Sequence, residues 1–208
     1  MFEMMRALFL NCTLKRRPEQ SQTDHLLDKI EKLFVAENVS VERVRVNDFQ
    51  LALGTSLDEG EGDEFPKLYE KIKEADILIF GSPIWMGVRS SVLQQLIERL
   101  DGAYGDENEL GQFGLYGKVA GVVVTGNEDG AHEVCATTLY NLTHLGCTVP
   151  PNVDCYYVGK AGPGPSYRED GGDRHLYTDR TARMLVKNTV FFAKMLREHP
   201  IPTNLRDI

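Results

Sequence analysis

The chain has 208 residues, with 23 Lys+Arg against 31 Asp+Glu and a formal net charge of −8. Hydrophobic content of 42% and charged content of 26% are ordinary for a globular protein, which excludes a disordered chain, a fibre and a disulfide-dense mini-domain. The acidic balance argues against a nucleic-acid binder, whose basic face releases counterions from phosphate. No apolar run approaches the ~20 residues needed to span a bilayer. Met1 to Leu10 does not read as a signal peptide, so a cytoplasmic location is expected. Cys12, Cys135, Cys147 and Cys155 form no Cys-x-x-Cys pair and no metal-ligand spacing, so they read as reduced thiols with no metal site.

Two kinds of segment alternate along the chain. Met5 to Leu10 is a short, nearly continuous apolar run, as are Asp76 to Gly81 and Val119 to Val124. Such runs predict strands buried on both faces of a parallel sheet. Val39 to Val46 mixes valines with Glu42, Arg43 and Arg45, the pattern of a partly exposed strand nearer an edge. A fifth strand is expected between Thr148 and Val158, bent at its entry by Pro150-Pro151. Helical spacing appears after Thr23-Asp24, around Leu68 to Ala75, after Ser90-Ser91, around Val134 to Leu145, and from Ala182 to Leu196. The alternation, with right-handed crossovers, predicts an α/β fold with a doubly wound, mostly parallel sheet in one domain over residues 1–208. Two long loops, 48–63 and 159–173, read as insertions. They are either functional arms or solvated connectors.

Ligands in such sheets bind at the carboxyl ends of the strands, which directs attention to three loops. The first runs from Asn11 to Thr23 into a helix and carries hydroxyls, amides and Lys15-Arg16-Arg17. A helix N-terminus attracts anions, so Thr13, Ser21 and Thr23 can surround a phosphate; an ordinary polar connector is the alternative. Neither the Walker A pattern nor G-x-G-x-x-G is present. The second loop, Gly81 to Ser91, holds the only Trp, Trp85, among Pro83, Ile84, Met86 and Gly87. That group is either an apolar platform for a planar heterocycle or, with Trp85 turned inward, a core plug. The third loop opens with Thr125-Gly126-Asn127, where glycine permits close backbone approach. His132 reads as a capping or surface residue, and His25, His144, His175 and His199 as structural ones.

Taken together, the loops resemble those of the flavodoxin-like NAD(P)H-dependent FMN reductase family. Thr13 and Ser21-Gln22-Thr23 stand at the family's phosphate loop, with Gln22 in place of its usual Asn. Pro83-Ile84-Trp85-Met86-Gly87-Val88-Arg89-Ser90, followed by Leu93 through Ile97-Glu98-Arg99, fits its Pro-x-aromatic-x-Gly motif and the helix after it. Thr125-Gly126-Asn127 matches its third loop. The 48–63 stretch holds no cysteine, which departs from the family's iron–sulfur branch.

The resemblance implies a flavodoxin-like five-stranded parallel sheet, order 2-1-3-4-5, with helices on both faces. It implies FMN held by Thr13, Lys15, Ser21, Gln22 and Thr23 at the phosphate, and by Pro83, Ile84, Trp85, Met86, Gly87, Thr125, Gly126 and Asn127 at the ring. NAD(P)H would be the electron donor and a quinone, a nitro or azo compound or free flavin the acceptor. No side chain is nominated as catalytic. A homodimer or homotetramer is expected, with aromatic and Gly-rich surface offered by 110–115 and 156–167. The alternatives are a flavodoxin-type electron carrier that binds FMN without oxidising nicotinamide, and a flavin-free scaffold on the same fold.

Overall fold

A computed structural model describes residues 4–160, 162 and 164–208. Five parallel strands form the sheet: β1 (Arg6–Asn11), β2 (Ser40–Arg45), β3 (Ile77–Trp85), β5 (Val119–Gly126) and β6 (Asp154–Val158). Their order is β2-β1-β3-β5-β6. Counted without the two-residue β4 (Val88–Arg89), which pairs antiparallel with the end of β3, this is the expected 2-1-3-4-5. The order reverses between β1 and β3, whose carboxyl ends lie side by side with Asn11 opposite Gly81.

The apolar runs bury both faces because successive side chains point to opposite sides. Leu8, Leu10, Leu78, Phe80, Val122 and Val124 belong to one core. That core is closed by α2 (Phe65–Glu74), α3 (Ser91–Leu100) and α4 (Ala131–His144). Ala7, Phe9, Ile77, Ile79, Val119 and Val123 face the opposite core, under α1 (Gln22–Ala36) and α5 (Leu176–Glu198). β2 lies at the sheet edge, with Ser40 to Arg43 only partly buried, as its mixed composition predicts. None of the described helices is long and apolar enough to cross a membrane.

The second predicted loop is in part a strand. β3 continues through Ser82-Pro83-Ile84 to Trp85 and turns back at Met86-Gly87 into β4. Both turn residues have positive φ, +52° and +79°, as a two-residue hairpin matched to strand twist requires.

Both insertions are fastened to the body. The 48–63 segment wraps the buried Arg99 guanidinium, which donates to Ala52 O, to Ser56 O and to both carboxylate oxygens of Asp63 at 2.9 and 2.6 Å. In the second, the Tyr167 ring is buried edge-on against Tyr157, and its hydroxyl donates to Asp173 at 3.1 Å. The surface expected for a second copy is reduced accordingly, because Tyr167 and Leu115 are buried within the chain. Gln112 Nε2 also donates to the Ile201 and Thr203 carbonyls, so the C-terminal segment packs on the 110–115 stretch.

Candidate functional site

The site is built from the first turn of α1 outward. A helix start leaves its first N–H groups without intrahelical acceptors. Ser21 caps α1 by accepting from the Asp24 N–H at 3.3 Å. No acceptor among the described residues takes the N–H groups of Gln22 and Thr23. They form a donor pair at the positive end of the helix dipole.

This turn sits close to the sheet because β3 has a glycine there. A Cβ at Gly81 would lie 3.0 Å from the Thr23 methyl and 3.2 Å from Leu27. The approach brings the Thr23 hydroxyl within 2.8 Å of that of Thr125 at the end of β5, joining the first and third loops by a buried hydrogen bond.

The shape of the first loop is set by Asn11, the last residue of β1. Its Oδ1 accepts from the Thr13 N–H at 3.0 Å, while its Nδ2 donates to Asp24 at 2.6 Å and, more weakly, to Ser21 Oγ at 3.4 Å. One buried amide thus ties both ends of the loop. Asp24 is held in turn by Arg45 from β2, through Nε at 2.9 Å and Nη2 at 2.5 Å. Farther out, Asn47 donates to Leu14 O and Asp48 accepts from the Arg17 N–H, so the loop leans on the segment after β2.

An open cleft of about 230 Å³ lies where these elements meet. The first loop and α1 contribute Thr13, Lys15, Ser21, Gln22 and Thr23; β3 contributes Pro83, Ile84 and Trp85; β5 and its loop contribute Thr125, Gly126 and Asn127. Met86 and Gly87 do not line it. They form the hairpin tip, where Met86 is 90% exposed. The Met86 N–H donates to the Glu128 carboxylate at 2.9 Å, linking the hairpin to the third loop.

Trp85 is 52% exposed and borders the cleft, so it is not a core plug. A planar ring bound here is expected to quench the single-Trp fluorescence. Trp85→Ala is expected to weaken flavin binding by about tenfold, the lower part of the 1–3 kcal/mol scale for stacking a base on an aromatic. A fluorescence titration checks both, and unchanged emission with unchanged affinity contradicts a ring at this position.

Leu14, Glu128, Ser166 and Tyr167 also line the cleft without having been nominated from the sequence. Glu128 follows the third loop's motif directly. Ser166 and Tyr167 come from the second insertion and carry no motif. Asn11, which organises the first loop from beneath, is marked only by its position at the end of β1.

Burial pushes the Cys12 thiol far above its ordinary value. It is a packed S–H in contact with Leu10 O, not a nucleophile. Burial likewise pushes Cys135, Cys147 and Cys155 up to about 12. His132 lies outside the cleft on an exposed face, sharing a 2.9 Å hydrogen bond with the Tyr156 hydroxyl. Among the described residues no His, Cys, Asp or Glu cluster is arranged to hold a metal ion.

The family model described as NADPH-dependent FMN reductase matches residues 5–160. An 8-demethyl-8-aminoriboflavin-5′-phosphate synthase of Streptomyces davaonensis is 43% identical over 210 residues, covering 97% of this chain and 82% of that protein. A Mycobacterium bovis protein named divalent metal cation transporter MntH is 41% identical over 202 residues. That match covers 94% of this chain but only 30% of the larger protein. Among solved structures, RosB with the bound intermediate 8-demethyl-8-formylriboflavin-5′-phosphate superimposes with a TM-score of 0.91 at 43% identity, over 98% of this chain and 84% of that one.

Proposed function

The chain belongs to the NADPH-dependent FMN reductase family, and from that premise we propose that its cleft holds riboflavin 5′-phosphate as a redox cofactor, with NAD(P)H as donor and a small quinone, nitro or azo compound or free flavin as acceptor. The observation that carries this reading is the convergence of two unlike surfaces in one cleft. One is a helix start with two unpaired N–H groups flanked by Thr13, Ser21 and Thr23; the other is an exposed indole beside backbone at Pro83 to Trp85 and Thr125 to Asn127. An anionic phosphate suits the first and a planar heterocycle the second.

The flavin, when bound, supplies the chemistry of accepting hydride from a nicotinamide and passing electrons on. The residues of the chain bind and orient it. The Gln22 and Thr23 N–H groups and neighbouring hydroxyls hold the phosphate, and Lys15 at the rim adds attraction that salt screens. The Thr23–Thr125 hydrogen bond fixes the distance between the phosphate and ring ends. All four cysteines are buried, and the reading assigns none of them a role in the reaction. A homodimer or homotetramer belongs to the same reading, with Trp85, Met86 and Val88 exposed on the hairpin beside the cleft.

A second reading is favoured by the 43% identity to a synthase named for an altered flavin. In it, riboflavin 5′-phosphate is the substrate and the change is made at its dimethylbenzene edge. Two arms separate them: anaerobic NADPH addition to the flavin-loaded chain followed by a quinone, and incubation of the loaded chain in air with an amino-acid nitrogen donor followed by mass analysis of the recovered flavin. Bleaching, recovery of colour and an unchanged flavin mass support the reductase. A flavin of changed mass supports the modifying enzyme. Flavin that is bound but inert to NADH and NADPH and keeps its mass overturns both and leaves an electron carrier.

A further inference from the structure

The second insertion contributes a wall to the cleft that lies beyond residues 5–160, the part of the chain the family model matches. This wall is residues 164–168. At one end the Asn127 side chain of the third loop donates to Gly164 O at 2.8 Å. At the other the Arg168 N–H donates to Gln22 Oε1 at 3.0 Å on the first turn of α1. Between them Tyr167 is buried edge-on against Tyr157, whose hydroxyl donates to Asp170, so the wall is clamped to the end of the sheet. A Cβ at Gly172 would meet the Tyr167 ring at 2.2 Å, so that glycine leaves the ring its place.

The segment therefore runs alongside the cleft from the ring end to the phosphate end. Ser166, midway, lines the cleft. Its N–H donates to Glu169 and its carbonyl accepts from Asp170, but its hydroxyl has no partner among the described residues.

We propose that Ser166 is a specificity-determining residue that hydrogen-bonds the hydroxylated chain joining the flavin ring to its phosphate, on a wall that lies beyond the residues the family model matches. The inference rests on the reading that the cleft binds riboflavin 5′-phosphate. Its geometric ground is that the wall is tied at Asn127 and at Gln22, so the residue between them faces the middle of a ligand spanning both ends. A hydroxyl there meets a polyol, which donates and accepts as serine does.

The test titrates three ligands against the native chain, Ser166→Ala and Ser166→Thr. Riboflavin 5′-phosphate has ring, polyol and phosphate; riboflavin lacks the phosphate; lumiflavin lacks polyol and phosphate. Ser166→Ala is expected to weaken both polyol-bearing flavins by about fivefold, the scale of one neutral hydrogen bond, and to leave lumiflavin unchanged. Ser166→Thr keeps the hydroxyl and is expected to restore most of the loss. A loss confined to riboflavin 5′-phosphate overturns the proposal in favour of a phosphate contact. An equal loss for all three ligands overturns it in favour of a wall that only shapes the ring pocket, and no loss for any overturns it outright. If the native chain binds none of the three, the underlying reading falls and the proposal with it.

Discussion

Arg99→Met is expected to lower the folding stability by about 3–5 kcal/mol, because removing one partner of a buried ion pair leaves the other charge uncompensated. Both side chains of the Arg99–Asp63 pair are fully buried, and the guanidinium also satisfies the Ala52 and Ser56 carbonyls and lies 4.5 Å from the centre of the Phe65 ring. Met fills much of the volume but donates nothing, so Asp63 loses its counter-charge and the two carbonyls lose their guanidinium donor together. Urea unfolding measures the loss, and a change below about 1 kcal/mol would place the pair among interactions of little net value.

The same pair sets an acid dependence. The Arg99 guanidinium holds the Asp63 carboxyl well below the usual carboxylate range; burial opposes this, and the N–H groups of Glu59, Phe65 and Ala52 reinforce it. A depressed native pKa contributes stability that is full above the unfolded value of about 3.9 and is lost as pH falls towards the native one. In Arg99→Met the largest cause of that depression is gone and burial works the other way. The stability gap between the native chain and the variant is therefore expected to narrow as pH falls below about 3.9, which urea unfolding at neutral and acid pH measures.

The second large effect concerns the phosphate. Ser21→Ala with Thr23→Ala is expected to weaken binding of riboflavin 5′-phosphate by tenfold or more, since hydrogen bonds to charged groups are worth about 1.5–3 kcal/mol. Riboflavin binding should change far less. Both side chains also have structural work. Ser21 caps α1 and Thr23 bonds Thr125, so some loss of stability accompanies the substitution. Removing an N-cap serine costs about 1 kcal/mol, which a folded chain tolerates. Comparing the two flavins on the same variant removes that contribution, because loosening of the cleft affects both. Equal losses for both would mean that the loop shapes the pocket without holding the phosphate.

What was legible in the sequence follows from periodicity. The runs in β1, β3 and β5 are apolar at every position because alternate residues feed two cores, and the order 2-1-3-4-5 came with the family resemblance the loops carried. The hairpin was harder to see. Pro83, Met86 and Gly87 look like loop residues, yet β3 continues through Pro83 to Trp85 and only Met86-Gly87 turn. The motif containing Arg99 was visible, but not its role, because its partners lie 36 to 47 residues earlier in a segment without periodicity. The 164–168 wall was invisible for a related reason. Its placement depends on one buried tyrosine and two hydrogen bonds to distant loops, and none of these leaves a local pattern.

The central claim is that one riboflavin 5′-phosphate lies in the cleft with its phosphate on the first turn of α1 and its ring at the ends of β3 and β5, and a crystal structure of the chain grown with that flavin tests it most directly. The account predicts phosphate oxygens within about 2.7–3.2 Å of the Gln22 and Thr23 backbone nitrogens, the ring beside Trp85 and Thr125 to Asn127, and the polyol along Ser166. A flavin bound elsewhere, or one in this cleft with its phosphate turned to solvent away from α1, would contradict it.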